Sequence, residues 1–265
     1  MKKINLPDGT PIYCLKATEA VVLDDHVQGY FNHGIKIKED DVIIDVGANI
    51  GVFGLKASKL FDKIEIHSFE PVPPIFEVLS NNKKLSGNPK FFVYQMGMGA
   101  EKDTIEFTYF PNSPALSTSN PELWEKDPKA FEKAVRGSIK NSPDSFWWSF
   151  LIPGFTIPLI ARYLKKGSKK IICEVNTLSD FIESKKISSI DLLKLDCEGH
   201  EWEVIKGINN EHWKIINAVV MEVHNIENRA QKVEEILRKN GFSKITLEKE
   251  KALENTDLVN VYALR

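Results

Sequence analysis

One short stretch of the sequence, residues 192–207, concentrates side chains that enzymes use for chemistry. Within eight positions it contains Asp196, Cys197, Glu198, His200, Glu201 and Glu203. Carboxylates, a thiol and an imidazole at this spacing could bind a metal ion, form the acid pair of a hydrolase, or begin a solvated helix. The choice among these depends on the elements that position the stretch.

A second polar pair follows the next apolar segment. Glu222 and His224 are two positions apart, as are Asp196 and Glu198, and such side chains share one face of a strand. If the two strands are neighbours, all four groups converge at the carboxyl ends of the strands, where open α/β sheets bind ligands. A neutral histidine or a carboxylate with a raised pKa can accept a proton from an alcohol. We predict His224 as the general base, with Glu198 or Asp196 as its partner or substitute.

A metal site is the alternative at the same place. Asp196, Glu198 and Glu222 offer hard oxygen ligands of the kind that Mg²⁺ prefers. The sequence fits zinc less well, because Cys197 and His200 supply only two ligands and no second pair of zinc ligands is present. We predict a site without a bound metal.

The other residues of the stretch are expected to have structural roles. Cys197 points away from Asp196 on a strand and is expected to pack as a small buried hydrophobe. Glu201, at the start of a predicted helix, can accept hydrogen bonds from first-turn amides. Glu203 lies opposite the buried helix face that includes Trp202, so it is expected to face solvent.

Apolar β-branched runs alternate with helical patterns along most of the chain. Continuous apolar strands separated by helices predict a parallel sheet covered on both faces. The last two strands are joined by a short polar loop, so we expect them to pair antiparallel. Seven strands with the last one reversed resemble the sheet of class I methyltransferases, although a dehydrogenase-like Rossmann sheet also fits the pattern. The predicted strands are 41–47, 63–71, 90–99, 188–196, 215–223, 242–248 and 258–264, and the predicted helices are 52–61, 74–86, 200–208 and 229–240.

A glycine loop follows the first of these strands, in the sequence DVGANIGVFG. Gly47 and Gly51 let the backbone approach a ligand, and the following helix begins with free amides. Glu70 closes the second strand, where an acid commonly holds the ribose hydroxyls of an adenosine cofactor. Relative to the dinucleotide fingerprint GxGxxG, Asn49 and Val52 replace the second and third glycines. The loop therefore favours S-adenosylmethionine, which has no pyrophosphate.

Four motifs carry a resemblance to a known family: DVGANIGVF, FEPVPPIFEVL, LLKLDCEGHEWEVIKGI and VVMEVH. Over most of residues 20–264 the chain is similar to the FkbM family of S-adenosylmethionine-dependent methyltransferases, including modules found with nonribosomal peptide and polyketide assembly lines. The resemblance implies O-methylation, typically of a hydroxyl on a natural product or sugar. We predict an S-adenosylmethionine site formed by Asp45, Gly47, Ala48, Asn49, Gly51, Phe69, Glu70, Pro71, Gly97, Met98 and Asp196.

Residues 111–170 interrupt the alternation and depart from the family pattern. The strand-like segments 104–110 and 170–175 on either side are expected to pair and to close this insert at one edge of the sheet. We predict a single methyltransferase domain over residues 1–265, with 111–170 as a lid over the substrate. The aromatic run 146–150 would form a small core within the insert, cover a lipophilic substrate, or dock a carrier protein or membrane surface.

Composition limits the partners and the compartment. Basic and acidic residues nearly balance, 35 against 37, which argues against nucleic acid as a partner. Three scattered cysteines without a CxxC pair, and no signal peptide, predict a reducing, cytoplasmic location. The apolar run 145–164 contains Pro153, Gly154 and Pro158, so we expect neither a membrane span nor a membrane partner.

These observations lead to one favoured function and two alternatives. We predict an S-adenosylmethionine-dependent O-methyltransferase that methylates a hydroxyl of a polyketide or peptide intermediate. This substrate would be a lipophilic small molecule, free or bound to a carrier protein. The alternatives are a metal-assisted sugar O-methyltransferase and a non-catalytic scaffold that binds S-adenosylmethionine.

Overall fold

The computed structural model describes residues 1–120, 129–140, 149, 151–249 and 258–265. The strands are β1 (Lys2–Asn5), β2 (Pro11–Cys14), β3 (Val42–Val46), β4 (Glu65–Phe69), β5 (Phe91–Tyr94), β6 (Gly97–Met98), β7 (Asp103–Tyr109), β8 (Lys169–Asn176), β9 (Leu192–Leu195), β10 (Ala218–His224), β11 (Lys244–Glu248) and β12 (Leu258–Leu264). The helices are α1 (Ala17–Gly29), α2 (Val52–Leu60), α3 (Pro73–Ser86), α4 (Ala130–Lys140), α5 (Ile157–Lys165), α6 (Leu178–Lys185), α7 (Glu201–Lys206), α8 (Asn210–Trp213) and α9 (Arg229–Lys239).

Seven strands form the central sheet, in the order β11-β12-β10-β9-β3-β4-β5. The strands from β10 to β5 in this order are parallel, whereas β12 is antiparallel to both β10 and β11. The predicted Rossmann-like α/β sheet of seven strands, with the last one antiparallel, is confirmed. The order reverses between β3 and β9, and open α/β sheets bind ligands at such a switch point.

The apolar run of the first predicted strand explains why β3 lies at the centre of the sheet. Ile43, Ile44 and Val46 are at most 2% exposed and alternate between the two faces. Ile43 packs in the cluster that contains Phe53 of α2, whereas Ile44 and Val46 pack in the cluster that contains Trp213 of α8. Each such buried side chain contributes roughly 1.5–3 kcal/mol, so both faces hold the strand in place.

The third predicted strand, 90–99, is divided in the structure. β5 ends at Tyr94, and β6 pairs with β8 in a separate three-stranded sheet of order β6-β8-β7. The expectation of one continuous strand is wrong because the chain turns between Tyr94 and Gly97 and changes sheets. Gly97 and Met98 nevertheless remain at the carboxyl edge of the central sheet.

The predicted pairing on either side of the insert is confirmed. β7 and β8 are antiparallel, from Asp103 opposite Val175 to Tyr109 opposite Lys169. They belong to the small sheet rather than to an edge of the central one, which corrects the expected attachment.

Between β7 and β8, two helices of the insert pack on each other. Phe131 and Val135 of α4 form a small core with Ile157 and Ala161 of α5. The aromatic run 146–150 lies outside the described residues apart from Ser149. Within the described ranges, no helix has both the length and the apolar character needed to cross a membrane.

The first 30 residues form elements for which the sequence analysis made no prediction. β1 and β2 form an antiparallel hairpin, and α1 follows it and contacts α2. Asp24 of α1 forms an ion pair with Lys56 of α2. Tyr30, the residue after α1, lies at the carboxyl end of β9, where its hydroxyl bonds to Asp196.

Candidate active site

A cleft opens at the carboxyl ends of β3, β4 and β9 and is partly open to solvent. Its lining includes nine predicted site residues: Gly47, Asn49, Phe69, Glu70, Pro71, Gly97, Met98, Asp196 and Glu198. Four other predicted site residues, Asp45, Ala48, Gly51 and His224, do not line it. The strand ends that the sequence singles out therefore contribute about half of the lining, and other elements contribute the rest.

The glycine loop after β3 is packed against the neighbouring strand ends. Gly47 has φ +76°, and a side chain there would overlap the backbone carbonyl of Asp196. The Gly47 and Ala48 amides donate hydrogen bonds of 3.1 and 2.9 Å to the carbonyl of Phe69. Gly51 has φ +82°, and a Cβ there would lie 2.5 Å from Leu79 of α3. At Gly47 the obstacle is backbone, so only glycine fits, whereas at Gly51 the obstacle is the flexible end of Leu79 and the positive φ is what favours glycine.

Glu70 supports the same loop from β4. Its Oε2 accepts a hydrogen bond from the Asn49 amide at 3.2 Å, and its Oε1 accepts one from the Val72 amide at 2.9 Å. Burial of the carboxyl raises the pKa of Glu70 to about 7 despite these bonds. A carboxylate has about four lone-pair sites, so Glu70 can still accept bonds from hydroxyl groups in the cleft.

Asp45 acts on the loop from behind the wall of the cleft. It is fully buried, and its carboxylate lies 2.8 Å from Nζ of Lys194 and accepts a 2.9 Å bond from Ser68 Oγ. Lys194 in turn donates to the Gly47 carbonyl at 3.0 Å. Burial alone would lower the pKa of Lys194, but Asp45 and Asp196 raise it. The sequence analysis missed Lys194, although a lysine among the leucines of LLKLD was a visible signal.

Asp196 begins the turn after β9 and faces the cleft. The Tyr30 hydroxyl, at the end of α1, donates a 2.6 Å hydrogen bond to its Oδ2. Burial would raise the pKa of Asp196, but the charge of Lys194, the electrostatic influence of the nearby His26 and the bond from Tyr30 hold it below its usual value. Asp196 is therefore a carboxylate at neutral pH.

Glu198 also lines the cleft, but not for the predicted reason. β9 ends at Leu195, so the alternation along a strand does not extend to Glu198. Glu198 has φ +51° in the turn that follows. Burial and the negative charges of Asp196 and Glu222 raise the pKa of Glu198 well above its usual value.

Glu201 holds this acidic turn from the start of α7. Its Oε1 accepts hydrogen bonds from the Cys197 and Gly199 amides at 3.0 and 2.9 Å. The predicted role as an acceptor of backbone amides is confirmed, although these amides belong to the turn before the helix. Its Oε2 lies 3.6 Å from Nδ1 of His224.

His224 lies behind the acidic turn and is only 7% exposed. Burial alone would lower the pKa of its imidazole, but the negative charges of Glu201, Glu222 and Asp196 raise it. This environment favours the protonated imidazolium. The structure thus pairs His224 with Glu201 and does not place it on the wall of the cleft.

The beginning of the insert covers one side of the cleft. Pro114, Ala115 and Ser117 line it. Thr118 Oγ1 donates a 2.6 Å bond to the Glu198 carbonyl, and its backbone pairs with Thr108 of β7. This segment is therefore anchored both to the small sheet and to the acidic turn.

Two further contacts tie the insert to its surroundings. Ser119 Oγ lies 3.0 Å from Nδ1 of His200, whose pKa burial lowers. Glu19 of α1 accepts hydrogen bonds from the Ser113 hydroxyl and the Ala115 amide, and burial raises the pKa of Glu19 to about 7. Neither Glu19 nor Tyr30 was identified from the sequence.

The charge of the cleft restricts what it can bind. Among the described residues that line it, three carry carboxyls, Glu70, Asp196 and Glu198, and none is Lys or Arg. Such a lining suits a cationic ligand with hydroxyl groups and disfavours a pyrophosphate. In the described part of the chain, no group of three or more His, Cys, Asp or Glu side chains is placed to hold a metal ion.

Comparison with known proteins agrees with this geometry. Residues 45–244 match the family described as the methyltransferase FkbM domain. The chain is 34% identical to the methyltransferase sdnD of Sordaria araneosa over 76% of its own length and 73% of that protein. It is 28% identical to the 31-O-demethyl-FK506 methyltransferase FkbM of Streptomyces tacrolimicus, over 100% of its own length and 97% of that protein. It is 27% identical to the hexuronic acid methyltransferase AglP of Haloferax volcanii, over 71% of its own length and 57% of that protein. With the sheet order of a class I methyltransferase, the chain belongs to the FkbM methyltransferase family.

Proposed function

We propose that the protein is an S-adenosylmethionine-dependent O-methyltransferase that acts on a hydroxyl of a lipophilic natural-product intermediate. The observation that carries this proposal is the acidic lining of the cleft. Three carboxyls and no Lys or Arg, among the described lining residues, surround the site of a chain that belongs to a methyltransferase family. S-adenosylmethionine is a sulfonium cation with two ribose hydroxyls. Carboxylates can accept hydrogen bonds from the hydroxyls and can attract the cation, so this lining fits it.

The proposed cofactor site uses both strand-end loops. Gly47 and Asn49 line the cleft and would lie along the ligand. Glu70 would accept hydrogen bonds from the ribose hydroxyls, in the place where an acid after the second strand commonly does so. Asp196 would place a negative charge beside the sulfonium. Behind the wall, Asp45 supports this arrangement through Lys194 rather than by touching the ligand.

For the proton acceptor we propose Glu198 in place of His224. When bound, S-adenosylmethionine supplies an electrophilic methyl group to an oxygen nucleophile. Glu198 lies on the wall of the cleft, and its raised pKa makes it a stronger base than an ordinary carboxylate. A cation bound nearby favours its ionised form, which can then accept the proton of a substrate hydroxyl. His224 and Glu201 would hold the acidic turn in position.

The character of the substrate is supported by the lining and by the relatives. Leu23, Phe107, Pro114 and Ala115 contribute an apolar part of the wall, which suits a lipophilic polyketide or peptide intermediate, free or on a carrier protein. The name of one relative specifies an FK506 precursor, which supports this class. Another is named for hexuronic acid, which supports a sugar hydroxyl as the second candidate.

The test combines calorimetry with a methyl-transfer assay on a panel of natural-product and sugar alcohols. We expect the wild type to bind S-adenosylmethionine and to methylate a member of the panel. Glu198→Gln should lower turnover by roughly 10²–10⁴-fold and weaken cofactor affinity by a much smaller factor. The matched control is Glu203→Gln, an exposed acid in the same stretch that should retain activity.

Each outcome of these assays has a defined meaning. Binding of NADH without S-adenosylmethionine would overturn the proposal, and cofactor binding without any methylated product would favour the scaffold function. Loss of activity in EDTA that Mg²⁺ restores would contradict the metal-free mechanism. Full activity of Glu198→Gln together with an inactive His224→Ala would return the role of base to His224.

A further inference from the structure

A row of polar side chains crosses the otherwise apolar centre of the sheet. Ser68, Asp45 and Lys194 are register partners on β4, β3 and β9, and they are at most 3% exposed. The hydrogen bond from Ser68 and the ion pair with Lys194 both end on the carboxylate of Asp45. A buried lysine is costly unless its charge is paired, and hydrophobic residues of similar size could replace such a pair without loss of stability. The stability of the fold alone therefore does not account for this buried ion pair, and we expect it to have a second role.

Lys194 connects this row to α1. Its Nζ lies 5.2 Å from the centre of the Tyr30 ring, a distance at which a cation is attracted to an aromatic face. Tyr30 is buried, and its hydroxyl donates to Asp196 Oδ2 at 2.6 Å. A bond this short to a charged acceptor is among the stronger hydrogen bonds in proteins. In the described part of the chain, Oδ1 of Asp196 has no hydrogen bond, which leaves it available to a ligand in the cleft.

We propose that Tyr30 and Lys194 are positioning residues that hold Asp196 as an oriented carboxylate against the sulfonium of the methyl donor. This inference rests on the proposed function, because it requires that S-adenosylmethionine occupy the cleft. Lys194, two residues before Asp196, supplies positive charge near its carboxylate. Tyr30 fixes one oxygen of that carboxylate by a hydrogen bond. The other charged or titratable groups near Asp196 include His26 of α1, His224 of β10, and Cys197 and Glu198 in the acidic turn. Asp45 of β3, Glu222 of β10 and Glu201 of α7 lie close to Lys194, Tyr30 or Glu198.

The principal test is Tyr30→Phe, which removes only the hydroxyl. We would measure by calorimetry its affinity for S-adenosylmethionine and for S-adenosylhomocysteine, whose sulfur is neutral. Loss of one hydrogen bond to a charged group should weaken S-adenosylmethionine binding about tenfold, with little change for S-adenosylhomocysteine. A merely structural role would weaken both ligands equally. Tyr262→Phe is the matched control, because the Tyr262 hydroxyl donates a 3.0 Å bond to the Gly29 carbonyl instead.

A second variant tests the lysine without leaving a buried charge unpaired. Lys194→Met in an Asp45→Asn background removes both charges of the ion pair, and we expect S-adenosylmethionine binding to fall more than S-adenosylhomocysteine binding. If this double variant does not fold, Tyr30→Phe still tests whether Asp196 is held in place for the sulfonium. An unchanged ratio of the two affinities in Tyr30→Phe would overturn the inference. Failure of the wild type to bind either ligand would overturn the proposed function instead.

Discussion

The loops that follow β3 and β9 lie side by side at the same edge of the sheet, yet different interactions hold them. In the loop at residues 47–51 the Gly47 and Ala48 amides bond to the Phe69 carbonyl, and Gly47 leaves room for the Asp196 carbonyl. Glu70 and Lys194 bond to the backbone of this loop. The acidic turn at residues 196–199 is held by side chains, among them Glu201. The first loop presents backbone to a ligand, and the second presents charge. Their tolerance of substitution should differ accordingly.

The largest effect is expected for Gly47→Ala, which tests the backbone fit of the first loop. The new methyl group would overlap the Asp196 carbonyl, and the residue would keep φ +76°. Left-handed backbone costs about 1–2 kcal/mol for a non-glycine residue, and the overlap adds to that. We expect a loss of at least about 4 kcal/mol in the free energy of unfolding, measured by urea denaturation, or no folded protein.

Gly9→Ala separates the two causes. Gly9 has φ +82°, but a Cβ there would meet nothing within 4 Å. This variant should lose only the backbone part, about 1–2 kcal/mol. Equal losses in the two variants would show that the contact between the loops is unimportant.

The second effect concerns the side chains that hold the acidic turn. Glu201→Ala leaves the Cys197 and Gly199 amides without their acceptor and removes the partner of His224. Buried groups left unpaired in this way should cost about 3 kcal/mol. Urea denaturation and the methyl-transfer assay should both register the change.

Glu203→Ala, two positions further along, is the comparison for that variant. Glu203 is 36% exposed and pairs with Lys206 on the surface of α7. Its loss should change stability by less than about 0.5 kcal/mol. Similar losses for Glu201→Ala and Glu203→Ala would contradict a difference between the buried and exposed acids.

The same contrast explains how much of the site was visible in the sequence. Backbone fit leaves a local pattern, so the spacing of Gly47, Asn49 and Gly51 and the acid at Glu70 could all be recognised. Strand alternation was less reliable, because it continued past Leu195 into a turn where Glu198 has φ +51°.

Side-chain support from a distance leaves no local pattern. Tyr30 reaches Asp196 across 166 residues, and Thr118 reaches the Glu198 carbonyl across 80. Neither residue is unusual where it stands in the sequence. The pairing of His224 with Glu201 likewise depends on how α7 packs against β10, which periodicity does not determine. The fold could therefore be predicted better than the chemistry at its edge.

The pH dependence of cofactor affinity tests Glu70, an acidic side chain that supports the first loop. The pKa of Glu70 is about 7, so its carboxyl is mostly protonated at pH 6 and mostly ionised at pH 8. Only the ionised form accepts bonds from both ribose hydroxyls. Between pH 6 and pH 8 the affinity for S-adenosylmethionine should therefore rise about tenfold, as measured by calorimetry.

Two variants show which residue causes this change of affinity with pH, called the slope below. Glu70→Gln should lose affinity and much of the slope. Glu19→Gln should keep the slope, although the pKa of Glu19 is also about 7, because Glu19 bonds to the insert and does not line the cleft. A slope that follows Glu19 would locate the titration in the covering segment rather than in the first loop.

The smallest effect is expected where the insert meets the acidic turn. Thr118→Val keeps the shape of the side chain but removes the donor to the Glu198 carbonyl and the acceptor of the Asn120 amide. The loss should be about 1 kcal/mol in the free energy of unfolding, against almost none for Thr104→Val on the exposed part of β7. Because Glu198 belongs to the second loop, turnover should fall severalfold while S-adenosylmethionine affinity stays unchanged. If Thr118→Val instead weakened cofactor binding as much as Glu70→Gln, the two loops would act as one unit.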